Sequence, residues 1–137
     1  MSASQPPASR RTLPRWLPFA LLPLLALPAL WPLWRIGLPS TADGALHLLR
    51  VALLDYHVSQ GMLFPRWMPE LVLGYGYPLL NFYGPVTYYL AEALHLRGLG
   101  HSTALMATFG LLILVGGYGA LLLARDMFAD VVSGRTL

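Results

Sequence analysis

The stretch Thr103 to Ala124, TALMATFGLLILVGGYGALLLA, runs for 22 residues without one charged side chain. A second stretch of the same length, Leu17 to Leu38, reads LPFALLPLLALPALWPLWRIGL and holds a single charge, Arg35. At 1.5 Å of rise per residue each reaches ~33 Å, against a bilayer hydrocarbon core of ~30 Å, so each can cross a membrane once as a helix. The predicted fold is therefore an all-α membrane protein with two transmembrane helices, over 17–38 and 103–124. A loop over 39–102 joins them, and tails over 1–16 and 125–137 flank them.

The whole composition agrees with this reading. Of 137 residues 56% are hydrophobic and 11% charged, and the apolar residues gather in runs, as bilayer proteins require. The absence of cysteine removes disulfides, thiolate metal sites and a cysteine nucleophile. The net charge of +3 and pI near 9.6 come from arginines scattered singly apart from Arg10 and Arg11. With no polybasic tract, nucleic acid is excluded as an expected partner.

Both spans are built for company. Pro18, Pro23, Pro28 and Pro32 recur through the first, and a proline inside a helix leaves a carbonyl that lipid cannot satisfy. Gly116 and Ala120 in the second have the small-xxx-small spacing that lets another helix approach closely. Expected partners are thus membrane lipids and further transmembrane helices of this or another chain. Two spans alone cannot enclose a large amphiphilic substrate.

Orientation follows from the arginines. Arg10, Arg11 and Arg15 precede the first span and Arg125 closes the second, while the loop sets Arg50, Arg66 and Arg97 against Asp43, Asp55, Glu70 and Glu92. The positive-inside rule then predicts a multi-pass protein of the cell membrane with both termini cytoplasmic and the loop outside. Ser9 to Leu13 faintly resembles a twin-arginine export signal and Ser40-Thr41-Ala42 a cleavage site. The first apolar run exceeds the usual length of a signal core, so an uncleaved span is expected.

Two helices are predicted in the loop. The first, near 41–60, takes Ser40 as N-cap and Asp43 at the third helical position. On a helical wheel Asp43, His47, Arg50 and His57 fall within about 80° of one another, interrupted by Leu54. This ionisable stripe, with leucines and valines elsewhere, predicts a helix lying in the membrane interface. The second, near 85–97, starts at Pro85, places Tyr88, Glu92 and His95 on one face, and is too short to cross. Ser102 is the predicted cap of the second span. Between the loop helices, aromatics are dense and Pro65, Pro69, Pro78, Gly74, Gly76 and Gly84 interrupt regular structure, which predicts a structured loop at headgroup level.

The order of residues in this loop is distinctive. Asp43-Gly44-Ala45-Leu46-His47, Phe64-Pro65-Arg66-Trp67-Met68-Pro69, Gly74-Tyr75-Gly76-Tyr77-Pro78 and Phe82-Tyr83-Gly84-Pro85-Val86-Thr87-Tyr88-Tyr89 resemble a family of polytopic membrane proteins. That family is labelled the 6-pyruvoyl-tetrahydropterin synthase-related membrane domain, and the chain is similar to its N-terminal part. Soluble pterin synthases use a His-x-His pair among three zinc ligands, and His47, His57, His95 and His101 contain no such pair. The label therefore carries no expectation of pterin chemistry.

The family is similar to the GT-C membrane glycosyltransferases, and this resemblance implies transfer of a sugar from a polyprenyl-phosphate carrier, with an aspartate of the first outer loop near the reacting centre. Asp43 matches that position. A carboxylate there can take the proton of an attacking hydroxyl. Arg50 and Arg66 are the candidate partners of the lipid phosphate, because guanidinium matches phosphate oxygens with paired donors. His47, Trp67, Tyr75, Tyr77 and Tyr83 complete the candidate substrate-binding set. Asp43 and His47, one helical turn apart, are a weak signal for a divalent metal, and no metal ligand is assigned. The resemblance implies an N-terminal module or fragment of a GT-C-like transferase, inactive without further transmembrane segments. The competing expectation is a small non-catalytic subunit that positions a larger membrane complex through the same aromatic loop. In both readings Asp43 can alternatively serve only to complete a helix end.

Overall fold

The computed structural model describes Pro14 and residues 16–133. The tail arginines Arg10, Arg11 and Arg15, the twin-arginine-like segment and the last residues of the C-terminal tail lie outside these described residues. The chain is all-helical, in the order α1 (Leu17–Arg35), α2 (Ala42–Ser59), α3 (Leu79–Phe82), α4 (Val86–His95) and α5 (His101–Ser133), with a 3-10 turn at Val72–Gly74. Two of the helices, α1 and the apolar part of α5 from His101 to Phe128, are long and apolar enough to cross a membrane.

The helices α1 and α5 pack against each other in opposite directions, Leu22 against Gly117 and Leu30 against Gly110. A Cβ at position 117 would crowd the Leu22 side chain, whereas one at position 110 would meet Leu30 in ordinary contact, so the close approach rests on Gly117. Gly116 and Ala120, the pair singled out in the sequence, lie on the exposed side instead. The proline problem of α1 is partly solved within the chain. Pro23 cannot donate to the carbonyl of Phe19, and Tyr118 Oη of α5 donates to that oxygen at 3.2 Å. The rings of Phe19 and Tyr118 stack beside it. No residue of α1 is buried, so most of its surface remains available to lipid or to other helices.

The core sits at one end of this pair. Val51 and Leu54 of α2, Met68, Leu79 and Leu80 of the following segment, Tyr88 and Ala91 of α4, and Leu105 of α5 form one buried cluster. This arrangement shows which side of α2 meets the rest of the protein. The stripe carrying His47, Arg50, Leu54 and His57 turns inward onto α4 and α5, while Leu46, Leu49 and Tyr56 are exposed. The polar groups of the stripe are tolerated inside because each finds a partner: His47 and Arg50 meet Tyr88, and His57 meets Glu70 at 3.1 Å. A buried polar group so paired escapes most of its desolvation penalty.

Two helix ends also differ from the prediction. The N-cap of α2 is Thr41, in extended conformation, whose Oγ1 accepts from Gly44 N at 3.1 Å. Asp43 is therefore at the second helical position, not the third, and the capping role falls to threonine instead of Ser40. The long helix α5 begins at His101, which places Ser102 inside its first turn instead of at its cap.

The aromatic segment closes on itself through an antiparallel bridge between Met68 and Tyr77, whose backbones exchange hydrogen bonds of 3.1 and 3.0 Å. Gly76 has φ +79° and lies directly under the Trp67 indole, so a Cβ there would collide with the ring. The bridge thus needs glycine for two reasons, left-handed backbone and close approach. At the tip of the segment Val72 and Leu73 also adopt left-handed φ of 53° and 56°. Such conformations cost about 1–3 kcal/mol each in non-glycine residues, and they leave the Leu73 side chain almost wholly exposed.

Candidate functional site

Arg50 is the centre of the polar architecture. It extends from the third turn of α2, donates from Nη1 to Tyr88 Oη at 3.0 Å, and places its guanidinium 4.0 Å from the centroid of the Tyr83 ring. His47, one turn earlier, lies with Nδ1 3.0 Å from the same phenol. A phenol can accept from the guanidinium and donate to the imidazole at once, so Tyr88 orients both side chains. Burial opposes the charge on Arg50, yet Tyr88 and Tyr83 outweigh it and hold its pKa above the ordinary arginine value. The guanidinium stays charged and pre-positioned.

Beside it opens a pocket of about 270 Å³ lined by Leu46, Leu49, Arg50, Leu71, Val72, Tyr77, Leu79 and Tyr83. Its walls come from the outward leucines of α2, the strained tip of the aromatic segment and the start of α3. One cation in an otherwise apolar and aromatic wall suits an amphiphile with an anionic group. Of the residues singled out in the sequence, Arg50, Tyr77 and Tyr83 meet at this pocket, and His47 joins them through Tyr88. Asp43 is exposed on the first turn of α2, two turns before Arg50, or ~10 Å along the helix axis. Arg66, Trp67 and Tyr75 are exposed and do not line the pocket. Trp67 covers Gly76 and so shapes the segment that does.

A second group of polar side chains gathers on the far part of α2. Asp55 Oδ2 lies 3.2 Å from His101 Nε2, and its Oδ1 lies 3.7 Å from His95 Nε2. The two imidazoles stack with centroids 3.8 Å apart. Glu92, one turn before His95 on α4, is 3% exposed, and as a carboxylate its oxygens meet no hydrogen-bond donor, whereas as a carboxylic acid it can donate to Asp55. Burial first, and then the Asp55 carboxylate, push the Glu92 carboxyl above its usual range, while His95 and His101 pull it down.

This second group was not legible as a unit in the sequence. The i, i+3 spacing of Glu92 and His95 was visible, but Asp55 and His101 are 46 positions apart and meet only because α2 packs across the α4–α5 corner. Tyr88 was missed as the organiser of Arg50 for a related reason: its ring had to be known to face α2. The weak metal signal at Asp43 and His47 is not supported by the geometry, since His47 turns to Tyr88. Among the described residues the grouping with metal-ligand spacing is Asp55, His95 and His101. Comparison with protein-family models, curated proteins and solved structures finds no match to this chain.

Proposed function

We propose that the chain is a module of a GT-C-like membrane glycosyltransferase that takes its sugar from a polyprenyl-phosphate carrier. The observation that carries this reading is the charged, pre-positioned Arg50 at the wall of an apolar pocket on the layer packed against the membrane-length helix α5. In this reading Arg50 meets the carrier phosphate and Leu46, Leu49, Leu71 and Leu79 take the first part of its isoprenoid chain. Tyr77 and Tyr83 offer ring faces near the same point. Asp43, exposed two turns away on the same helix, takes the proton from the acceptor hydroxyl.

At about 270 Å³ the pocket lies at the low end for ligand sites, which run from ~300 to ~1,000 Å³. It holds a phosphate and adjoining isoprenoid, not a whole lipid-linked sugar. Further transmembrane helices, packed on the exposed faces of α1 and α5, complete the enclosure. The exposed Gly116 and Ala120 suit such packing.

The test is labelling of the membrane-embedded protein by a photoreactive polyprenyl phosphate. Wild type labels saturably, and Arg50→Gln reduces labelling about tenfold or more, because a charge-assisted contact to phosphate is worth roughly 1.5–3 kcal/mol. Equal labelling of both proteins removes the phosphate role of Arg50, and absence of saturable labelling in wild type favours the non-catalytic subunit.

The topology that this reading requires puts the loop outside and both termini in the cytoplasm. Reporter fusions after Gly61 and after Leu137 then score as external and internal. A cytoplasmic signal after Gly61 reverses the orientation and removes external transfer with it.

A further inference from the structure

We propose that Asp55, His95 and His101 form a binding site for a divalent transition metal of the zinc class, which clasps α2 to the α4–α5 corner. The proposal does not rest on the transfer reading.

The donor set is the first argument. Two imidazoles with carboxylate oxygens suit zinc and its neighbours in the first transition row better than magnesium or calcium, which prefer all-oxygen shells. The ligand atoms of Asp55, His95 and His101 lie within 4.8 Å of one another. Around a tetrahedral zinc with bonds of ~2.1 Å, neighbouring donors stand ~3.4 Å apart. The two histidine–aspartate separations, 3.2 and 3.7 Å, bracket that spacing.

Orientation of the ligands is the second. The Nδ1 of His95 lies 2.7 Å from the carbonyl oxygen of Leu99 and donates to it. That bond fixes the neutral tautomer with its lone pair on Nε2, the nitrogen that faces Asp55. Histidines that bind metals are commonly held in this way by a backbone carbonyl.

Glu92 lies buried beside this group, and its carboxyl can donate to the Asp55 carboxylate, so it supports Asp55 without being one of the ligands. An ion pair between Asp55 and the two histidines accounts for the same contacts, and metal titration separates the two arrangements. The Asp55, His95 and His101 side chains remain 29%, 25% and 31% exposed, which leaves the ion a path of entry.

The experiment is zinc binding by the full chain, purified in detergent, stripped with chelator and titrated in competition with a chromogenic chelator. Wild type is expected to bind one equivalent saturably, and cobalt in its place to give the intense visible bands of four-coordination. His95→Gln and His101→Gln should each weaken zinc binding at least tenfold with the helical circular dichroism retained, while His47→Gln leaves it unchanged. Asp55→Asn replaces any variant that does not fold. Wild-type protein without a saturable zinc site overturns the proposal, and indicates the ion pair between Asp55 and the two histidines instead. Unchanged affinity in His95→Gln combined with His101→Gln, or loss of affinity in His47→Gln, overturns the assignment of the ligands.

Discussion

Under the proposed transfer function, replacing Asp43 by asparagine in the complex completed by further transmembrane segments is expected to lower transfer from a polyprenyl-phosphate-linked sugar by ~10²-fold or more, because general-base catalysis is worth about 10² to 10⁴. Asparagine keeps the shape of the side chain and loses the proton acceptor. The structure sharpens this test by separating Asp43 from the cap of α2. Thr41 makes the capping bond to Gly44, so the remaining structural role of Asp43 is a favourable charge in the first turn, worth about 0.3–1 kcal/mol. That loss is too small to depopulate the folded protein. Rates are measured with the purified, completed complex carrying wild type or variant, normalised to folded protein. Comparable rates end the case for Asp43 as the base, whatever the fate of the Arg50 pocket.

The spacing of Asp43 and Arg50 gives that prediction its geometry. Seven residues along α2 place the carboxylate ~10 Å from the guanidinium along the axis, with room for a glycosyl unit between the acceptor and the phosphate. Arg50 is fixed by Tyr88 and Tyr83, whereas Asp43 is exposed. In the proposed reading the donor end of the site is thus preorganised within this chain, and the acceptor end is open to whatever packs above it.

How much of this was readable in advance depends on the distance over which each feature is encoded. The two membrane-length helices were legible because length and hydropathy are local sums over 17–38 and 103–124. The loop helices were legible to within a few residues because Pro85, Gly61 and Gly98 punctuate them. The inward face of α2 was not. A helical wheel locates a polar stripe but not the polarity of what it meets, and here Tyr88 and Glu70 supply partners from 38 and 13 positions away. The Asp55, Glu92, His95 and His101 cluster failed to register for the same reason, since its members come from three helices.

The orientation of α2 has a consequence of comparable size for stability. Leu54 lies in the middle of the ionisable stripe and is completely buried, whereas Leu49, on the apolar side of the wheel, is 44% exposed. If the polar stripe faced water, Leu54→Ala would be the mild substitution and Leu49→Ala the damaging one. The packing seen here reverses that order. Leu54→Ala opens a cavity among Val51, Met68, Tyr88 and Leu105 and is expected to cost about 2–5 kcal/mol, as buried leucine truncations do. Leu49→Ala is expected to stay within about 0.5 kcal/mol. Lipid around the exposed face does not cancel the difference, because the cost arises from the dispersion attraction that the side chains lining a void forfeit, and not from expelled water. Reversible unfolding of the two variants in mixed micelles, followed by helical circular dichroism, measures both. A larger loss for Leu49→Ala than for Leu54→Ala would turn the polar stripe outward, with His47 and Arg50 away from Tyr88, and dismantle the pocket on which the phosphate-binding reading depends.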